Sequence, residues 1–434
     1  MKYRVIPLAA LCAVALSAGA QSNVKPPKAQ LWIDVSTGGM AGMPEMDSLP
    51  TGGMGGLLGG GRPGAGAQQA YGQARGMNVM PARVLDIALH NSLKPGVEAQ
   101  QLVPPGLRMG DALPLVPPPA QAAPREYEPG EMQEMQRDKP KGRILVYWGC
   151  GAEVRRGQPR VIDLARGNPA EMGSAFAGRY APDRGARVSP QHALYPNEKA
   201  RMNVPQGASL VGEHKVQGEG VPASMKFTLG EAQNLMPAIQ LSTRGQLADS
   251  IGLSWQPLPH ARAYYLHAMG QVGDDLVMWS SAETGDTGMG LFDYLPNATI
   301  DRWVKENVLL KPETTSCAVP KGIFAAPGGR EGSGAMARMM AWGSESNFVH
   351  PPRPADPRAA WEPEWSVRVR VKAGTMAMLG VEQQARGGSA PPAQAEAVPA
   401  AATAPAAPAN PVQGVIDAVV PGVGGAVIRG LFGR

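Results

Sequence analysis

The stretch SIGLSWQPLPHARAYYLHAMGQVGDDLVMWSSA, residues 250–282, decides the fold class. It holds three apolar-rich runs, at 250–256, 261–269 and 275–281, divided first by Pro257 and Pro259 and then by Gly270 and Gly273. Short apolar runs separated by residues that punctuate the backbone are strands joined by turns. In the first run Ile251, Leu253 and Trp255 share one side by the two-residue period of a strand, with Gly252 and Ser254 on the other. In the second, Tyr264, Leu266 and Ala268 alternate with Tyr265, His267 and Met269, so an aromatic meets either water or a neighbour.

The same period recurs on both sides of this stretch. Residues 29–36 alternate Leu31, Ile33 and Val35 against Trp32 and Asp34, and 83–89, two short runs within 101–116, 143–148 and 160–164 are further strands. The run 143–148 is apolar on both faces and calls for cover on both. Strands are also expected at 208–217, 224–229, 236–242 and 337–342, and 365–372 shows the clearest alternation of all. Asn297, followed by Ile300, Trp303, Val304 and Val308, predicts a capped helix with one apolar face. The chain is therefore read as mainly β, with two β-sandwich-like domains at 29–164 and 206–380 and a linker at 165–205. Residues 38–76 are glycine-rich and read as a disordered, flexible insertion, the alternative being that its methionines form an adaptable binding surface or soft-metal ligands. An Ala/Pro spacer covers 386–408, and 410–434 is a short amphipathic helical segment suited to docking.

The spacing of Trp255, a proline-containing turn and then Ala261, Arg262, Ala263, Tyr264, Tyr265 and Leu266 resembles the B and C strands of fibronectin type III-like sandwiches. The resemblance covers 250–282 and implies a sandwich fold with a binding or spacing role. It brings no catalytic residue with it.

Residues 1–20 pair Lys2 and Arg4 with an apolar stretch and end on Ala18-Gly19-Ala20, the form of a secretory signal peptide. The protein is thus expected in the periplasm or secreted, as part of a bacterial envelope. No stretch supplies the roughly 20 apolar residues of a membrane-spanning helix. The formal charge of +5 comes from 41 bases against 36 acids without any long run of one sign, which argues against a nucleic-acid partner. Cys12 leaves with the signal, so Cys150 and Cys317 are expected to pair in an oxidising compartment.

Motifs for the common catalytic classes are missing: no GxSxG elbow, P-loop, HExxH or strand-to-helix GxGxxG occurs. The six histidines lack ligand spacing, so no metal, cofactor or catalytic residue is assigned. Asp274 and Asp275 with the acids of 283–286 are either solvated hairpin ends or calcium ligands. Tyr264, Tyr265, Trp279, Tyr147 and Trp148 are either buried anchors or a platform for sugar rings. Arg368, Arg370 and Lys372 lie on one side of the last strand, opposite Val367, Val369 and Val371. They form a basic stripe that either meets an anionic polymer or protects a sheet edge. Binding residues are accordingly expected among Tyr265, Trp279, Arg368, Arg370 and Lys372. The function expected is non-catalytic protein binding or assembly in the envelope. The alternatives are a glycan- or polysaccharide-binding module and an enzyme whose site is dispersed through the sequence.

Overall fold

The computed structural model describes residues 25–42, 71–75, 83–119, 142–164, 178–325, 334–356 and 359–381. Nine strands form the main sheet. In spatial order they are β6 (Arg160–Asp163), β5 (Arg143–Trp148), β13 (Asp275–Ser280), β12 (Ala263–Val272), β15 (Ala335–His350), β16 (Trp365–Leu379), β1 (Ala29–Thr37), β2 (Val84–Asn91) and β7 (His192–Tyr195). A three-stranded sheet holds β10 (Leu241–Arg244), β11 (Ile251–Trp255) and β14 (Ser316–Val319). A four-stranded sheet holds β4 (Ala112–Leu115), β3 (Ala99–Leu102), β8 (Gly212–Gly218) and β9 (Lys226–Leu229).

Strand alternation divides the main sheet into two unlike faces. Leu31, Ile33, Val35, Val367, Val369, Val371, Leu266 and Trp279 point to one side and share a single apolar core with Leu253 and Trp255 of the three-stranded sheet and Leu113, Val216 and Phe227 of the four-stranded one. The two small sheets therefore form the second layer of a sandwich. The other face is covered by α1 (Asn297–Lys305) and its flanking loops, where Ile300, Trp303, Leu291 and Phe292 pack on Tyr265, Met340 and Trp342. Among the described residues, no helix is long and apolar enough to cross a membrane.

Most of the strands expected from the sequence are present, 236–240 being irregular ahead of β10, yet their partners are not those that chain order suggests. Strands from 29–164 and from 206–380 do not lie in separate sheets. β1 runs parallel to β16, from Ala29 opposite Trp365 to Thr37 opposite Ala373, and β5 runs parallel to β13. β7, within the stretch read as linker, pairs with β2. Parallel pairing needs a long crossover, and nothing local in a strand records which distant strand it meets. β16 accordingly sits inside the sheet, where it needs no protection as an edge. It is also longer than the alternation at 365–372 suggests. Asn297 lies within α1, because Pro296 takes the N-cap position with extended backbone. Its amide instead clasps β15 at the irregularity between Trp342 and Glu345: Nδ2 donates to the Glu345 carbonyl and Oδ1 accepts from the Glu345 N–H, both at 2.9 Å. The expectations for 1–20, most of 38–76, 386–408 and 410–434 fall outside the described residues.

Cys150 and Cys317 form a disulfide, with Cα atoms 5.2 Å apart and a sequence separation of 167. Cys150 follows β5 of the main sheet and Cys317 lies in β14, so the bond joins the two layers. Closing a loop of this length limits the unfolded chain by about 5 kcal/mol in the chain-entropy picture. Denaturant unfolding with and without a reductant checks this. The midpoint is expected to fall markedly on reduction, and an unchanged midpoint would contradict the stapling role.

Candidate functional site

On the face away from the sandwich core, the even-numbered residues of β16 and β1 form rows across neighbouring strands. Register places Arg370 beside Asp34 and Asp34 beside Asp86, one charged row through β16, β1 and β2. The Arg370 guanidinium meets Asp34 in a two-bond fork, Nε to Oδ1 and Nη2 to Oδ2, each 2.6 Å. Both side chains are sealed from water, at 3% and 2% exposure. A charge-assisted pair of this geometry offsets part of the cost of desolvating both ions. The Tyr294 ring packs under the cations, with Arg370 Cζ 4.5 Å and Lys372 Nζ 4.6 Å from its centroid. Lys372 donates to the Phe292 carbonyl at 2.8 Å. Burial lowers its pKa to about 8, against the attraction of Asp293 and Asp34.

Asp86 closes the row under a short strap, 71–75. Its Oδ2 accepts from the backbone N–H of Ala74 at 2.8 Å and of Gly72 at 3.1 Å. Its Oδ1 has no hydrogen-bond partner among the described residues, and neither does the Tyr294 hydroxyl. Desolvation raises the Asp86 carboxyl to about 7, although the two N–H groups favour its ionised form. Arg75 anchors the strap from outside, through a hydrogen bond to Asp183 and a 3.4 Å ion pair with Asp293. The charged row is thus closed off and is a structural feature rather than a docking surface.

One row further along the same face, the sheet opens. A groove of 590 Å³ has Gln30, Trp32, Ser366, Arg368, Asn347 and Val349 among its lining, residues that alternation places on one face of three adjacent interior strands. Pro26, Pro27 and Pro363 also line it, together with Trp361 and Phe348. Trp32 and Trp361 are each half-buried, whereas the Phe348 ring alternates to the core side, 6.2 Å from that of Phe227. Trp361 is held by its indole N–H, which donates to the Pro351 carbonyl at 3.1 Å, and by the Arg353 guanidinium, 5.7 Å from its ring centroid. Arg368 reaches Asn347 Oδ1 at 3.2 Å and the Arg184 carbonyl at 2.7 Å, and lies 3.8 Å from Glu345.

The five residues expected to bind a partner part company here. Tyr265 and Trp279 are fully buried, and so are Arg370 and Lys372. Tyr265 is packed so closely that a Cβ added at Gly288 would lie 1.8 Å from its hydroxyl, while Trp279 donates to the Gly149 carbonyl at 3.0 Å. They are buried anchors, the first of the two readings open for these aromatics, and are not available to a sugar-binding platform. Arg368 alone of the five lines the groove. The acids at and beyond β13 stand at opposite ends of that strand, Asp274 exposed and the other three held by arginines: Asp275 by Arg143, Glu283 by Arg155 and Asp286 by Arg179. His267 is buried, its Nε2–H donates to the Thr287 carbonyl at 3.0 Å, and burial lowers its pKa to about 4. Among the described residues, no group of three or more His, Cys, Asp or Glu side chains is placed to hold a metal ion. Sequence reasoning missed Trp361, because it lies outside any strand of clear period, and it read Trp32 only as the polar-side partner of Leu31 and Ile33. Comparison with protein families, curated proteins and solved structures gives no match.

The raised Asp86 carboxyl makes a prediction about pH. A carboxyl that holds its proton more tightly when folded contributes stability at low pH, and that contribution is lost as pH rises from about 4 to about 7. Asp86→Asn keeps an acceptor for the strap and cannot ionise. The stability of this variant relative to the parent is expected to grow through that interval, by at most about 4 kcal/mol. Unfolding free energies of both proteins at pH 4, 5.5 and 8 measure it, and a difference independent of pH would refute the assignment.

Proposed function

We propose that this is an exported protein of the bacterial envelope that acts by binding another protein, in assembly rather than catalysis, and that its partner docks in the groove lined by Trp32, Trp361 and Arg368. The observation that carries this reading is the groove itself: aromatic and proline side chains around a sheet floor with one guanidinium. Partly exposed aromatic and arginine side chains are the groups that dominate protein interfaces. The floor belongs to β1, β16 and β15, three interior strands, so little ordering opposes binding. The resemblance of 250–282 to fibronectin type III sandwiches supports the same class of function. A glycan partner has less support, since Tyr265 and Trp279 are buried and unable to stack on sugar rings.

A photo-activatable cross-linker placed at the exposed groove residue Asn347 tests the proposal in intact cells. A discrete protein adduct is expected. Trp361→Ala should then weaken binding of that purified partner about 30-fold, the size of a central aromatic anchor worth about 2 kcal/mol. Absence of any protein adduct, or carbohydrate as the captured species, would overturn the reading.

A further inference from the structure

The main sheet carries a second feature on the same face, near the opposite end of β16. Register aligns Met269 of β12 with Met336 of β15, and Met336 with Met378 of β16. Met269 is also opposite Met278 of β13, so four methionines occupy one line across four adjacent strands. Alternation puts them on the side of His267, Arg338 and Met376, away from the sandwich core. Met278 is buried in a small apolar cluster with Ile144, Val146 and Ile162, which Met269 joins from its edge. Met336 is 36% exposed, and Met269 and Met378 are half-buried. The Met378 methyl lies beside the start of β15, 3.2 Å from a Cβ built on Gly334.

We infer that Met269, Met336 and Met378 form a binding site for a soft monovalent metal ion, Cu(I) in the cell, bound by three thioether sulfurs. Neighbouring strands are about 4.8 Å apart, and each thioether ends a side chain with three rotatable bonds, so side-chain rotation alone can bring three sulfurs at one register around an ion. Thioethers are soft ligands that select Cu(I) over hard divalent ions. They are also neutral, so a monovalent ion leaves less charge uncompensated than a divalent one. Arg338, the cation in the next row, is occupied: it stacks on Phe292 with its Cζ 5.0 Å from the ring centroid, and its Nη2 lies 3.5 Å from the Met376 sulfur. Cys150 and Cys317, whose thiolates would compete for a soft ion, are tied in a disulfide. Met278 backs the site as part of its apolar wall. The ion binds without any change of oxidation state in the protein, and the site is separate from the groove proposed for a protein partner.

Silver(I) serves as the redox-inert probe. Full-length protein with ¹³C-methyl methionine is titrated with Ag(I), and the methyl signals of Met269, Met336 and Met378 are expected to shift together and to saturate at one equivalent. The triple variant Met269→Leu, Met336→Leu, Met378→Leu keeps apolar volume and removes only the sulfurs. It is expected to bind one equivalent fewer than the parent by calorimetry, with other methionines of the chain contributing equally to both. Unshifted signals at these three positions, or the same stoichiometry and affinity in parent and variant, would overturn the site. The titration of the parent stands alone if the variant folds poorly.

Discussion

A fork of two 2.6 Å bonds between Asp34 and Arg370 joins the first described strand to the last, 336 residues apart. The rest of the main sheet depends on that contact. The carboxylate and the guanidinium face each other at one register of a parallel pair, with Val35 and Val371 turned to the opposite face. A slip of one residue in either strand would turn that strand's ion into the sandwich core, bring its valines to the polar side and leave the other ion without its partner. The pair therefore acts on register more than on net stability, since two buried ions regain little beyond their desolvation cost. With β1 and β16 fixed, β15 and β2 take their places on either side, and so do the strands beyond them.

The same constraint prepares the groove. Trp32 and Arg368 are the residues two positions before Asp34 and Arg370, so the row that sets register also sets the groove floor. Asp86 and the strap at 71–75 close the charged row on one side, while Asn297 holds β15 at its irregularity on the other. Charge that is fully buried serves the fold, and the half-buried aromatics one step along are left to meet a partner. Position along β16 separates these roles, and residue type does not.

Local pattern made the strands legible, because burial on one or both faces writes itself into every second residue. The run at 29–36 and the three runs within 250–282 are strands as their apolar patterns imply, 143–148 is a strand as its two apolar faces imply, and Cys150 and Cys317 pair as expected. Partnership was not legible. Val367, Val369 and Val371 against Arg368, Arg370 and Lys372 mark a strand with one polar face, yet nothing in that octet shows that Asp34 and Tyr294 supply the counter-charge and the ring. The stripe therefore resembled an exposed edge. The candidate site suffered most from this, since four of its five expected members are core residues and Trp361 lies in irregular backbone between two strands.

A double-mutant cycle on Asp34→Asn and Arg370→Met tests most directly whether this buried pair holds the first and last strands together. Each single substitution is expected to cost about 3–5 kcal/mol, because it leaves one ion buried without its partner. The double variant should lose at least about 2 kcal/mol less than the sum of the two. Additive losses, or single losses within about 0.5 kcal/mol of the parent, would contradict the account.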